Sequence, residues 1–168
     1  MARVWVFGED VDTDQIVPGR YAPYMTSEAE LPKAAFIEAR PEFAREARPG
    51  DLIVAGRNFG CGSSREYAPK ALKLIGVGAI IAPSFARIFF RNALNLGIPL
   101  FEADLAGQLR DGEDVTLDME RYEVITADGR RYALTPPPAF VQEIWRVGST
   151  VEYYRRYGRL PGQLDAGH

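Results

Sequence analysis

The segment DLIVAGRNFGCGSSREYAPKALKLIGVGAIIAPSFARIFFRNALNLGIPLF (residues 51–101) decides the fold, because apolar runs alternate in it with helical patterns. The runs at 51–56, 77–82 and 98–101 have the length and the composition of buried strands. Strands that alternate with helices over short connections pair in parallel, with right-handed crossovers. The sequence therefore predicts a parallel βαβαβ core over residues 51–102.

Two helices connect the three predicted strands. The first is predicted over 66–75, where apolar residues recur at spacings of three and four. The second is predicted from an N-cap at Ser84 to about Leu96, with Gly97 as its stop.

The N-terminal region, residues 1–50, is less regular. It begins with the predicted strand RVWVF at 3–7 and continues into an acidic loop, GEDVDTDQIVPGRYAPY. Helical fragments follow over 27–47, and we expect Pro32 and Pro41 to interrupt them.

In the C-terminal third, the spacing of apolar residues changes from the strand–helix alternation of the core to that of short strands followed by helices. Residues 113–134 predict a meander of three short strands, with Asp128 and Gly129 as a two-residue hairpin turn. Two helices are predicted over about 139–146 and 150–157, and we expect residues 158–168 to form a loose tail. We expect one domain over residues 1–168.

Composition excludes several classes of function. The net charge of −3 gives no basic footprint for nucleic acid or for an anionic membrane, and no apolar run approaches a membrane span. The acidic start is unlike a signal peptide, so we expect a cytoplasmic protein.

A single cysteine supports no disulfide framework and no metal site of several thiolates. His168 is the one histidine, so proton transfer must use other side chains or a partner's groups.

The glycine-rich loop between the first core strand and the first helix has the position of a ligand site. In open α/β sheets, ligands bind beyond the carboxyl ends of the strands. Pro69 fits only the first turn of a helix, so we expect the helix to begin near Arg65 or Glu66. Free amides after Ser63 would then favour an anion, and the guanidinium of Arg65 suits a carboxylate.

Other interpretations of this loop differ in how well they fit. A Walker A loop fails because no lysine precedes Lys70, and a dinucleotide fingerprint fails because Arg65 replaces its third glycine. A plain strand-to-helix turn with capping serines stays open, as does a reactive thiol at Cys61 near a helix end. Arg87 and Arg91 either line the same crevice or are simply solvated.

The acidic loop resembles the start of a calcium loop only superficially. Asp10, Asp12 and Asp14 alternate, but Gln15 and Tyr21 stand where glycine and glutamate are needed. The aspartates therefore either form turns or orient an arginine in a shared site.

Three separated motifs together identify a family. GRNFGCGSSREYAPKAL at 56–72, DVDTDQIVPGRY at 10–21 and SFARIFFRNALNLGIPLF at 84–101 closely resemble the small, swivelling subunit of isopropylmalate dehydratases and homoaconitases. These proteins are relatives of the aconitase C-terminal domain. The resemblance implies an α/β fold, a single swivelling β/β/α domain with a parallel βαβαβ core and a C-terminal β-meander.

The resemblance also implies a heteromeric iron–sulfur hydro-lyase, active as a heterodimer or heterotetramer. It implies a large subunit that holds a 4Fe–4S cluster through three cysteines, and no cofactor or metal on this chain. The implied reaction isomerises a hydroxy di- or tricarboxylic acid by dehydration and rehydration. The candidate substrates are homocitrate and isopropylmalate, in lysine or leucine biosynthesis. The alternative is a carboxylate-binding regulatory module without chemistry.

The family's site residues map onto two of the motifs. Carried over, Ser63 is the catalytic base, while Ser64 and Arg65 hold the substrate carboxylate. The Thr-Asp pair of the N-terminal loop corresponds to Thr13, at the substrate, and Asp14, at the catalytic centre.

The substrate-recognition segment departs from the family pattern. Isopropylmalate enzymes often have an arginine shortly after the tyrosine, whereas residues 21–26 here read YAPYMT. Arg20, before Tyr21, is a candidate substitute, and Tyr24 is a further candidate contact with substrate. The missing arginine favours homocitrate.

Overall fold

The described residues form one seven-stranded sheet. A computed structural model describes residues 1–21, 27–62 and 66–161. The strand order is β4-β3-β2-β1-β5-β6-β7. The strands are β1 (Ala2–Val6), β2 (Leu52–Val54), β3 (Ala79–Ala82), β4 (Leu100–Glu102), β5 (Asp114–Asp118), β6 (Glu123–Thr126) and β7 (Arg131–Ala133).

Helices cover the sheet and follow its strands in the chain. They are α1 (Thr13–Ile16), α2 (Pro41–Glu46), α3 (Tyr67–Ile75), α4 (Arg87–Asn95), α5 (Ala139–Val147) and α6 (Thr150–Tyr157). Two 3-10 helices, Gly19–Tyr21 and Glu28–Ala34, lie between α1 and α2. Within the described ranges, no helix is long and apolar enough to cross a membrane.

The predicted parallel core is confirmed. Strands β1 to β4 pair in parallel, with Ile53 opposite both Trp5 and Ile80. The predicted meander is also confirmed, but the predicted two-residue turn at Asp128 and Gly129 is wrong: the N–H of Thr126 donates to the carbonyl of Arg130, so the loop has three residues, 127–129, and Gly129 has φ +92. The meander continues the same sheet, because β5 pairs antiparallel with the edge of β1.

Alternation along the central strands explains why both faces of the sheet are covered. Trp5, Ile53 and Ile80 belong to one hydrophobic cluster, which includes the buried faces of α3 and α4. Their neighbours Val4 and Leu52 belong to the other cluster, together with apolar residues of the meander. Since successive strand residues point to opposite faces, each short strand supplies both layers.

The first core helix begins close to the predicted residue, but the second does not. Helix α3 begins at Tyr67, and Gly76 ends it in the left-handed conformation. The prediction that Ser84 caps the second helix is wrong, because α4 begins at Arg87. The Ser84 hydroxyl instead accepts a hydrogen bond from the backbone N–H of Asn58 at 2.8 Å.

Prolines mark the irregular N-terminal region in two ways. Pro32 lies inside a 3-10 helix, whereas Pro41 is the first residue of α2 and therefore starts a helix instead of interrupting one. Both C-terminal helices lie where they are predicted, within one residue. Residues 162–168 of the predicted loose tail lie outside the described residues.

Candidate active site

The three motifs meet at the carboxyl end of the parallel strands. Isolated parallel bridges join Asp12 to Cys61 and Phe59 to Phe85. The first bridge links the loop after β1 to the loop after β2, and the second links the loop after β2 to the segment after β3. The fold therefore brings together segments that are far apart in the chain, at the edge where α/β sheets bind ligands.

Close backbone contacts seat the acidic loop against the glycine-rich loop. The N–H of Gly60 donates to the carbonyl of Val11 at 2.7 Å, and the N–H of Thr13 donates to the carbonyl of Cys61 at 2.8 Å. Gly62 has φ +98, and a Cβ placed on it would lie 3.3 Å from the Thr13 hydroxyl oxygen. A glycine here lets the two loops touch.

The short helix α1 fixes the aspartates of the acidic loop. Asp12 is its N-cap: the Asp12 carboxylate accepts from the N–H of Gln15 at 2.7 Å, and the Gln15 side chain accepts from the N–H of Asp12 at 3.1 Å. This is a reciprocal capping box. Asp14 lies in the first turn, exposed, and its Oδ1 accepts from the N–H of Gly19 at 2.9 Å. Thr13 between them is buried, at 3 % exposure.

In the sequence, the candidate base Ser63 and its neighbours Ser64 and Arg65 lie between Gly62 and Glu66, which the structure describes. The described chain reaches Gly62 beside Thr13 and resumes at Glu66, the N-cap of α3. Ser63, Ser64 and Arg65 lie outside the described residues, as does Tyr24. Their predicted roles stay predictions.

Cys61 does not have the environment of an activated thiol. Burial raises its pKa, and the negative charges of Asp12 and Asp10 raise it further. A reactive cysteine needs the opposite, a lowered pKa beside positive charge. The described surroundings of the thiol therefore give no support to Cys61 as a redox or nucleophilic residue.

The candidate arginines have different surroundings. Arg20 forms an ion pair with Glu38, and its guanidinium lies 5.1 Å from the ring centre of Tyr21. Since Gly19 bonds to Asp14, Arg20 follows directly after a residue of the candidate site. Arg87 and Arg91 are exposed on α4, and neither forms an ion pair with a residue that the structure describes.

Sequence reasoning missed the contacts that hold the three loops together. Asn58 bonds to Asp10 and to Ser84, and Gly60 lies against the ring of Phe89. The asparagine in a glycine-rich loop was an available signal, because asparagine tolerates left-handed backbone. Its partners are set by tertiary structure and have no local signature.

The residues of this chain do not fit an iron–sulfur cluster. Such clusters are held by several cysteine thiolates, and the chain has one cysteine, whose pKa is raised. Among the described residues, no three His, Cys, Asp or Glu side chains are grouped so that they could hold a metal ion.

Comparisons with known proteins agree with the motifs. The family model of the aconitase C-terminal domain matches residues 12–103. The chain is 54 % identical to the homoaconitase small subunit of Thermus thermophilus, over 97 % of this chain and 100 % of that one. It is 52 % identical to 3-isopropylmalate dehydratase small subunit 1 of Deinococcus radiodurans, over 97 % of this chain and 92 % of that one.

A solved structure shares the fold. The crystal structure of 3-isopropylmalate dehydratase from Methanocaldococcus jannaschii superposes with a TM-score of 0.85 at 39 % identity, over 92 % of each chain. This likeness extends well beyond the segment that the family model matches. The chain therefore belongs to the aconitase C-terminal domain family, among the small subunits of the aconitase-type hydro-lyases named 3-isopropylmalate dehydratase and homoaconitase.

Proposed function

We propose that this chain, as one swivel domain over residues 1–168, is the small subunit of a cytoplasmic iron–sulfur hydro-lyase. The complex isomerises a hydroxy di- or tricarboxylic acid by removing one water and adding it back on the neighbouring carbon. The relatives' names supply the class of enzyme. The 4Fe–4S cluster belongs to a large subunit, because this chain lacks the thiolates to hold it.

One observation carries the proposal: the acidic loop is seated directly against Gly62. The hydrogen bond from Thr13 to Cys61 holds the two segments together, and Ser63 is the next residue after Gly62. In the proposal, Ser63 acts beside Thr13 and Asp14, and what supports this is its covalent bond to Gly62, since consecutive Cα atoms lie about 3.8 Å apart. In the proposal, the proton acceptor, Ser63, comes from the motif at 56–72, and the carboxylate of Asp14 comes from the motif at 10–21.

Ser63 is the proposed proton acceptor. A proton on the carbon next to a carboxylate is weakly acidic, and a serine hydroxyl is a poor base unless its alkoxide is stabilised. Amides at the start of α3 and the cation of Arg65 supply that stabilisation in the proposal. The oxygen of Ser63 takes the proton, and the electrons of the broken C–H bond form the double bond of the unsaturated acid. The C–O bond on the neighbouring carbon breaks at the same time, and the hydroxyl leaves with the electrons of that bond, so that this hydroxyl and the proton on Ser63 together account for the one water removed.

The remaining site residues position the substrate. Arg65 and Ser64 bind a substrate carboxylate, so that the reacting C–H bond faces Ser63. Asp14 is held by the N–H of Gly19, which fixes its carboxylate at the rim of the loop. Thr13 is the further proposed substrate-positioning residue, and its hydroxyl lies against Gly62.

Arg20 and Tyr24 are the residues proposed to contact the end of the substrate that lies away from the reacting carbons. Arg20 already pairs with a carboxylate, that of Glu38, and both side chains are largely exposed. A substrate carboxylate can replace Glu38 in this pair with little desolvation cost. This exchange favours the longer, carboxylate-bearing homocitrate, whereas identities of 54 % and 52 % to the two kinds of relative do not discriminate.

A reconstituted assay tests the function and the substrate together. The chain is combined with a cluster-bearing large subunit from the same genome, and turnover is compared for homocitrate, isopropylmalate and their unsaturated intermediates. We expect activity only in the complex, with a higher kcat/KM for homocitrate. Binding of a tricarboxylate by the chain alone, without turnover in any complex, would support the regulatory module instead.

A further inference from the structure

Two residues at the base of the candidate site have unusual backbone conformations. Asp10 has φ +55 and Asn58 has φ +61, so both lie in the left-handed region although neither is glycine. They occur in different loops, one after β1 and one after β2. Left-handed backbone is uncommon for residues with a side chain; asparagine and aspartate adopt it more readily than the others, and it often occurs at functional sites where surrounding contacts hold it.

The two residues bond directly to each other. The side-chain amide of Asn58 donates to Oδ1 of Asp10 at 3.0 Å. The backbone of each is also engaged: the N–H of Asp10 donates to the carbonyl of Arg57 at 2.9 Å, and the N–H of Asn58 donates to the Ser84 hydroxyl at 2.8 Å. Asn58 therefore connects the loops that follow β1, β2 and β3.

The bond between Asn58 and Asp10 lies close to the candidate site, and we expect it to affect the geometry of the site more than the free energy of unfolding. Asp10 precedes Asp12, the N-cap of α1, and Asn58 precedes Cys61, whose carbonyl holds Thr13. Both side chains are exposed, and exposed hydrogen bonds add little to the free energy of unfolding. The bond does add a side-chain link to the backbone bonds between the two loops, at the point where both enter the site.

We propose that Asn58 is a positioning residue for the dehydratase reaction. Its side-chain bond to Asp10, together with the backbone bonds between the loops, fixes the position of the loop that carries Asp14 relative to the loop that leads to Ser63. This inference rests on the proposed function of those two residues. A small displacement of a catalytic group is enough to lower turnover strongly while substrate still binds.

Glycine substitutions remove the bond without imposing a new strain. Asn58→Gly keeps the left-handed backbone and the N–H that donates to Ser84, but it loses the amide that reaches Asp10. Asp10→Gly removes the acceptor in the same way. Asp10→Asn is the conservative variant, because its side-chain carbonyl still accepts the bond.

Turnover in the reconstituted complex gives the first readout. We expect Asn58→Gly and Asp10→Gly each to lower kcat at least about tenfold with KM within about twofold. The double variant should be no worse than either single variant, because one shared bond is lost in all three. Asp10→Asn should keep kcat within about twofold of the wild-type value.

The single cysteine gives a second readout that does not need activity. Cys61 lies in the displaced loop, so the full chain is labelled with iodoacetamide and the rate is expressed per thiolate, which corrects for the charge lost with Asp10. We expect both glycine variants to label several-fold faster. Asp128→Gly is the matched control, because Asp128 also bonds side chains within a turn, the β6–β7 hairpin, and it should leave kcat and the labelling rate unchanged.

The outcomes separate this inference from the proposed function. An inactive wild-type complex would contradict the function, whereas the labelling arm would still test the link between the loops. Wild-type kcat together with a wild-type labelling rate in Asn58→Gly would overturn the inference. So would losses in the double variant that equal the product of the two single losses, because the residues would then act independently.

Discussion

At the scale of single residues, the thiol of Cys61 has an environment that its sequence neighbours do not reveal. Glycines and a following helix indicate a lowered pKa, but the fold places Asp10 and Asp12 beside the sulfur. Burial and these two charges both favour the neutral thiol. The residue that is most conspicuous in the sequence therefore has no chemical role in the account.

The raised pKa of Cys61 predicts slow, pH-dependent alkylation. We expect iodoacetamide to label the full chain slowly at pH 7, with a rate that rises towards an apparent pKa above the ordinary 9.0. Replacing Asp12 would disturb the cap of α1, so Asp10→Asn is the better probe of charge, and it should lower the apparent pKa. In the complex, Cys61→Ser should keep kcat within about twofold. An apparent pKa below the ordinary value would contradict this description of the thiol.

At the scale of secondary-structure elements, Gly60 determines how closely the glycine-rich loop approaches α4. It has φ +84, and a Cβ placed on it would lie 2.2 Å from Cγ of Phe89. Phe89 is buried among the core residues and has no room to withdraw. Loop and helix are therefore in contact only because position 60 lacks a side chain.

Gly60→Ala should consequently destabilise the chain. The added methyl group combines overpacking against Phe89 with strained backbone, and we expect a loss of about 2 kcal/mol or more in the free energy of unfolding. Gly107→Ala is the matched control, because position 107 is exposed with nothing within 4 Å of the new Cβ, and it should change stability by about 0.5 kcal/mol or less. Equal urea midpoints for the two variants would contradict the close approach.

The elements that could be predicted from the sequence are those with a local signal. Strands β2 to β4 and helices α3, α5 and α6 have clear apolar periods, and glycine or proline marks several of their ends. The start of α4 was not predicted correctly, because Ser84 has the chemistry of an N-cap residue but its hydroxyl accepts a hydrogen bond from the N–H of Asn58. The pairing of β5 with β1 was not predicted either, since tertiary packing decides which strands pair across a long connection.

The candidate site was predictable to a similar extent. Loops after parallel strands meet at one edge, so the convergence of the motifs followed from the predicted topology. The seating of Thr13 against Cys61 and the bond between Asn58 and Asp10 did not follow, because hydrogen bonds across a tertiary contact have no local pattern. These contacts are the part that only the structure supplies.

At the scale of the whole molecule, an arginine joins the two halves of the sheet. Arg40 precedes α2, and it donates to the carbonyl of Val6 at 2.9 Å and to the carboxylate of Asp111, shortly before β5. Asp111 also accepts from the N–H of Val6 at 2.9 Å. The parallel half and the meander are thus connected at the end of β1 as well as through the β1–β5 pairing.

This connection predicts a pH dependence of stability. Burial alone would raise the pKa of Asp111, but hydrogen bonds from Arg40 and Val6 outweigh it and lower the pKa below the ordinary 3.8. A carboxyl group with a lowered folded pKa stabilises the fold above the unfolded value and loses that contribution as the pH falls through the folded value.

The urea midpoint of the wild-type chain should therefore fall more steeply than that of Asp111→Asn below about pH 4. At pH 7 the variant should be less stable by about 1 kcal/mol or less, because the carboxylate is half-exposed. Parallel pH profiles for the two proteins would show that Asp111 makes no such contribution.

The central claim is that this chain supplies the proton acceptor of a complex whose metal chemistry belongs to another subunit. Turnover of the Ser63→Ala complex tests it most directly, measured beside its assembly with the large subunit by size-exclusion chromatography. The account predicts normal assembly with kcat reduced at least about a thousandfold. A Ser63→Ala complex that assembles and turns over within about tenfold of the wild-type rate would contradict it.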